Sequence, residues 1–166
     1  MTRRLAIVAV VCAAVLALPL VAGAQTPNFS GKWVQDMDKS DPAGGGMGGG
    51  RGPAGPQSMT ITQTATELTI EREGRNGVQK TVYKLDGSPS TNAGGRGGDI
   101  TSVSKWEGGK LVTTSSRTMT AQDGSTMTIE TKEVRSLEDD GTMVVVTTTN
   151  SQRGEQTRKV VFTKQG

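Results

Sequence analysis

After residue 30, apolar and polar residues alternate in short runs broken by Gly, Asp and Asn. A period of two sends successive side chains to opposite faces of an extended strand. No stretch beyond the N-terminus keeps the period of an amphipathic helix. Nine segments read as strands: 31–35 (GKWVQ), 59–63 (MTITQ), 68–72 (LTIER), 78–85 (VQKTVYKL), 100–106 (ITSVSKW), 111–119 (LVTTSSRTM), 126–136 (TMTIETKEVRS), 143–150 (MVVVTTTN) and 156–163 (QTRKVVFT). Asn76-Gly77, Asp123-Gly124 and Asp140-Gly141 join alternating runs, and Asp86-Gly87 and Glu107-Gly108-Gly109 add turns. These pairs are strong hairpin signals because both residues tolerate positive φ. Parallel pairing would need long crossovers, which are missing. A meander of this length curls and closes, since closure removes exposed edges. The expected fold is all-β: an up-and-down antiparallel meander closing into an eight- to ten-stranded barrel.

Two low-complexity stretches interrupt the rhythm, at 42–57 (PAGGGMGGGRGPAGPQ) and 92–98 (NAGGRGG). Both fall between strands and read as Gly-rich loops of a single domain over 25–166. The N-terminus has a different character. Arg3 and Arg4 precede an apolar run at 5–18, Pro19 breaks it, and Ala22-Gly23-Ala24 forms a small-residue cleavage motif. That pattern is a cleaved signal peptide over 1–24, and the run is short for a membrane span. The expected location is periplasmic or secreted. A lipid anchor would need a cysteine at the cleavage site, whereas Cys12 lies mid-run.

Composition narrows the chemistry. The chain has no histidine, and its one cysteine lies in the signal segment. Cys/His zinc sites, Ser-His-Asp triads and thiol nucleophiles are therefore excluded from the exported chain. Carboxylate pairs are the remaining acid/base option. Glu71 and Glu73 share one strand face, and Glu138, Asp139 and Asp140 share a turn, with nothing apolar beside either set to shift a pKa. No enzymatic activity is expected. Asp36, Asp38, Ser40 and Asp41 open like a calcium loop, but Asp41 replaces the required Gly and Met47 the closing Glu. Met37, Met47 and Met59 lack the His or Cys that would complete a soft-metal site. No metal or cofactor is expected.

Removing Arg3 and Arg4 lowers the formal net charge from +3 to +1. So balanced a chain gives little pull on nucleic acid, and Arg51 and Arg96 have no aromatic neighbours for base stacking. A membrane-spanning barrel needs an apolar outer band and aromatic girdles. Five aromatics cannot supply them, and Lys80, Lys84, Glu130 and Lys132 lie on strands. No stable membrane insertion is expected.

The segment Asn28-Phe29-Ser30-Gly31-Lys32-Trp33 carries a Gly-x-Trp on the first strand. It resembles the opening motif of the lipocalins, members of the calycin group. The whole of 25–166 is similar to small exported bacterial proteins described as lipocalin-like. The resemblance implies that Gly31 and Trp33 form the barrel base. It also implies a basic residue near the end of the barrel, packed over the Trp. Arg158 or Lys159 on the last strand is available, with Arg158 the candidate. The chain stops soon after its last strand, without the lipocalin terminal helix. The resemblance further implies a cavity for a small apolar molecule.

The expected function is non-enzymatic binding of such a molecule, buried against Met127, Ile129, Val145 and Phe162. The alternative is a structural or protein-interaction module of the cell envelope with a filled interior and a protein partner that the sequence leaves unnamed.

Overall fold

The computed structural model describes residues 26–42, 57–74, 77–94, 98–120, 124–151 and 154–166. The candidate signal segment, residues 43–56 of the first Gly-rich stretch and residues 95–97 of the second lie outside the described residues. Ten strands follow in order: β1 (Gly31–Asp36), β2 (Ser58–Gln63), β3 (Glu67–Gly74), β4 (Gly77–Lys84), β5 (Pro89–Ala93), β6 (Asp99–Glu107), β7 (Lys110–Thr120), β8 (Thr126–Leu137), β9 (Met143–Ser151) and β10 (Gly154–Gln165). No helix occurs among the described residues.

All pairings are antiparallel, in the order β4-β3-β2-β1-β10-β9-β8-β7-β6-β5. Every strand but the two end ones sits between its neighbours in sequence, with β1 joining β10 to bring the ends of the chain together. The all-β meander therefore forms a nearly closed barrel of ten strands. Tight turns set the register. Glu107 pairs with Lys110 across Gly108 and Gly109, whose φ values of 54° and 79° only glycine adopts without cost.

The tenth strand, β5, is missing from the nine read in the sequence. Its segment, PSTNA, offers no apolar alternation and opens on a proline. Tertiary context makes it a strand. It pairs with β6 on one side and faces β4 on the other. No backbone ladder joins β4 to β5. Two side chains bridge the seam instead. Asn92 Oδ1 accepts the Val82 N–H at 2.8 Å, and Asn92 Nδ2 donates to the Val82 carbonyl at 2.9 Å. Ser90 Oγ accepts the Lys84 N–H at 2.8 Å. The Asn92 amide thus replaces a strand's own peptide group, leaving the Val82 donor and acceptor satisfied.

The apolar core fills one end of the barrel. It contains Phe29, Trp33, Ile61, Leu68, Ile70, Leu111, Met143, Val145 and Phe162. Phe29 lies across this end, its ring stacked on Trp106 at 5.9 Å between centroids. The Trp33 indole N–H donates to the Phe29 carbonyl at 2.8 Å, and the Phe29 N–H donates to Gln63 Oε1 at 2.9 Å. Gly31, at φ 138°, lets Lys164 fold over the strand, and the Lys164 ammonium stands 5.6 Å from the Trp33 ring centroid. The cation over Trp33 is thus Lys164, not Arg158.

Candidate functional site

Away from this floor the inward-facing rows change character. Register fixes which residues share a row. One row runs Trp106–Leu111–Arg135–Val145–Val160. The next runs Ser104–Thr113–Glu133–Thr147–Arg158, and the one beyond it Ser102–Ser115–Thr131–Thr149–Gln156. Across the barrel, β3 and β4 contribute Arg72 and Tyr83, in phase with Leu68 and Ile70. The lumen therefore passes from an apolar floor into a wall of Ser and Thr carrying charged side chains.

Four arginines fall on inward positions of the described strands: Arg72, Arg117, Arg135 and Arg158. They face one inward carboxylate, Glu133. Arg135 is almost wholly buried and bonds Glu133 Oε1 through a terminal guanidinium nitrogen at 2.5 Å. Its guanidinium also lies 5.9 Å over the Phe29 ring. Arg72 reaches the Met59 sulfur at 3.8 Å, a weak acceptor. Burial pulls the Arg72 guanidinium below its ordinary range, with the charge of Glu133 opposing that effect and the charge of Arg135 adding to it. Burial likewise raises the Tyr83 phenol, and Glu133 raises it further. Arg72, Tyr83, Glu133 and Arg135 thus act on one another as a cluster above the floor. Arg117 stands nearer the open end and donates to the Gly94 carbonyl at 2.9 Å.

Two buried guanidinium nitrogens, Arg135 Nε and Arg158 Nε, have no hydrogen-bond acceptor. A buried donor without an acceptor carries its full desolvation cost, about 1–3 kcal/mol and more when charged. Of the two, Arg158 borders open space, while Arg135 lies one row below Glu133, which also does. A cavity of about 270 Å³ is lined by Tyr83, Ile100, Thr113, Arg117, Ile129 and Glu133, among others. A second, of about 490 Å³, lies between Arg158, Thr147, Thr149, Gln156 and Val160 on one side and Asp41 and Pro42 on the other. Asp41 is itself committed there, accepting the Lys159 N–H at 2.7 Å.

A concavity of about 510 Å³ is on the outer surface, against Val103, Thr114, Lys132 and Thr148. Those side chains point away from the lumen, and its charged groups, Glu130, Lys132 and Glu155, are exposed. It holds no buried charge, so the lumen is the stronger candidate site despite its smaller spaces.

The residues expected from sequence to meet a ligand all point inward. Val145 and Phe162 are buried in the apolar floor. Met127 and Ile129 are half-buried, four and three pleat repeats along β8 from Arg135, the partner of Val145, and Ile129 lines the smaller cavity. Arg158 faces the larger cavity. The sequence reading left out Arg72, Tyr83, Arg117, Glu133 and Arg135. Parity along each strand carried the signal: Arg72 is in phase with Leu68 and Ile70, Arg117 with Leu111, and Glu133 and Arg135 with Met127 and Ile129. Glu71 and Glu73 lie on the outward face and are exposed. No group of three or more acidic, His or Cys side chains able to hold a metal ion occurs among the described residues. No described helix is long and apolar enough to cross a membrane.

No protein-family model matches the sequence. No curated protein matches it significantly. Solved structures do match in fold. A zebrafish ileal bile acid-binding protein complexed with cholic acid superposes with a TM-score of 0.59 at 19% identity, covering 82% of this chain and 98% of its own. A mutant of the REP1-NXSQ fatty acid transporter gives 0.57 at 16% identity, covering 82% and 97%. Human cRBP IV gives 0.55 at 17% identity, covering 84% and 99%. At these identities the likeness is one of fold: the chain shares the antiparallel β-barrel of these proteins.

Proposed function

We propose that the barrel binds a small amphipathic molecule, with an acidic group at the inner arginines and an apolar body directed toward the open end. The observation that carries this reading is the surplus of cationic donors on the inward face, with Arg158 Nε unpartnered beside one cavity and Arg117 lining another. An incoming acid would give these donors their acceptor and offset part of their desolvation cost. Its apolar body would lie against Ile100, Ile129 and Met127, each square ångström removed from water contributing about 25 cal/mol. The similar solved structures, with their bile acid and fatty acid ligands or roles, support a carrier on this barrel. The acidic group refines the apolar ligand that the lipocalin resemblance implies.

The lumen carries Ser and Thr hydroxyls, but the chain has no histidine to activate them, and the inward carboxylate of the described strands, Glu133, is bound to Arg135. The reading is therefore non-enzymatic. The N-terminal pattern of 1–24 adds the proposal that binding takes place outside the cytoplasm. The filled-barrel interaction module has less support, since open space remains beside buried charge.

Native mass spectrometry on protein recovered from its host, with organic extraction of bound material, tests this function. A stoichiometric acidic amphiphile is expected. A bare polypeptide mass that stays bare after incubation with a lipid extract would contradict it.

A further inference from the structure

We infer that the acidic head is polyhydroxylated, of the sugar-acid class, and that it sits in the cavity beside Arg158. This rests on the acidic-amphiphile reading above and names the head group that the reading leaves open. The cavity of about 490 Å³ has a charged lining, among the described residues, of Arg158 and Asp41, one of each sign. Their fields on a bare carboxylate oppose one another, so charge alone holds such a head weakly there. Glu133 shares the row of Arg158, but Thr147 stands between them, and Glu133 lines the other cavity and is bonded to Arg135. Arg117 likewise lines the other cavity.

A head that also carries hydroxyls makes use of Asp41. Asp41 Oδ2 accepts the Lys159 N–H, and Oδ1 keeps its lone pairs for a further donor. Arg158 Nε donates and has no acceptor. Thr147, Thr149 and Gln156 also line the cavity and make no side-chain hydrogen bond among the described residues. Each of these three side chains both donates and accepts. One carboxylate with several hydroxyls answers the whole set: the carboxylate accepts from Arg158, one hydroxyl donates to Asp41, and others pair with the Thr and Gln groups. Thr147 and Thr149 are the register partners of Glu133 and Thr131 in the other cavity, so a tail leaving this head continues toward Ile129 and Ile100.

The test compares three ligands with the same chain by calorimetry at pH 8, below their aggregation concentrations. Dodecyl glucuronide carries acid and hydroxyls, dodecanoate the acid alone, and dodecyl glucoside the hydroxyls alone. The glucuronide should bind about tenfold more tightly than dodecanoate, the factor that two added hydroxyl bonds supply, and should exceed the glucoside by a similar factor. Asp41→Asn keeps an acceptor for the Lys159 N–H and removes the charge. Dodecanoate should then tighten, and the advantage of the glucuronide should fall by about threefold, as for a charge open to solvent. Thr149→Val should weaken the glucuronide and leave dodecanoate unchanged, and Arg158→Gln should weaken both acids. The wild-type comparison decides without any variant having to fold. Glucuronide and dodecanoate equal within about twofold, or a glucoside as tight as the glucuronide, would overturn the hydroxylated acid head and leave an amphiphile carrier standing. Loss of both acids in Arg117→Gln but not in Arg158→Gln would overturn the assignment to this cavity. Wild-type protein that binds none of the three would overturn the amphiphile reading itself, and this inference with it.

Discussion

Replacing Asn92 with Ala is expected to loosen the barrel at its one seam without touching the apolar floor. The β4 and β5 backbones share no ladder, and Asn92 alone serves both the N–H and the carbonyl of Val82. Alanine removes both bonds and leaves two half-buried backbone groups without partners. At about 1 kcal/mol per bond, the expected loss is about 2 kcal/mol. For a domain of this size each kcal/mol lowers Tm by roughly 2–4 °C, so a fall of about 4–8 °C should follow. Ser90→Ala removes one bond, to Lys84 N–H, and should cost about half as much. Thr91→Ala lies between them on the same strand but points outward and is exposed. It should change stability by less than about 0.5 kcal/mol. Amide hydrogen exchange adds a local readout, with protection lost at Val82 in Asn92→Ala and kept at Val145. If Asn92→Ala and Thr91→Ala melt together, the seam is closed by something other than these side chains and the reasoning fails.

Three further outcomes follow from the same geometry. Gly31→Ala forces a non-glycine residue to φ 138° and brings a Cβ onto the Lys164 side chain, so a loss of about 1–3 kcal/mol is expected in denaturant unfolding. Trp33→Phe removes the bond to the Phe29 carbonyl while keeping an aromatic ring, and a loss of about 1–3 kcal/mol, read in the same assay, would match a buried acceptor left unpaired. Asp140 accepts the Thr142 N–H at 2.9 Å and its hydroxyl at 2.6 Å, which hold its carboxyl below the ordinary carboxylate value. A depressed folded-state pKa stabilises the β8–β9 turn above the unfolded value and loses that contribution as pH falls through the folded one. An NMR titration should therefore find the Asp140 midpoint below that of an unstructured Asp, and Thr142→Ala should raise it; equal midpoints would show the bonds to be absent in solution.

Much of the architecture was legible in the chain because strand period and turn chemistry agree in it. Asp140-Gly141 and Gly108-Gly109 mark hairpins that the structure contains, and their φ values match the turn residues chosen. The strand β5 was illegible for a physical reason. Its inward residues, Ser90 and Asn92, face a polar stretch of lumen and a seam, so no apolar alternation marks it. The floor was half legible. Gly31 and Trp33 stand at the apolar end, but the cation above the indole was sought at Arg158, whereas β10 places Lys164 opposite Trp33. The arginine cluster escaped because its charged members interrupt the apolar alternation that marks an inward face. The alternation of LTIER already put Arg72 inside with Leu68 and Ile70. A buried charge breaks the apolar-in rule, and such departures gather where a protein does something other than fold.

A crystal structure with 12-bromododecanoate tests the central claim most directly, because the anomalous signal of bromine locates the tail independently of the head. The lumen site predicts a carboxylate within hydrogen-bond distance of one of the inward arginines, and bromine toward Ile129 and Met127. Bromine in the outer groove beside Val103 and Thr148, with the lumen unchanged at saturating ligand, would contradict it.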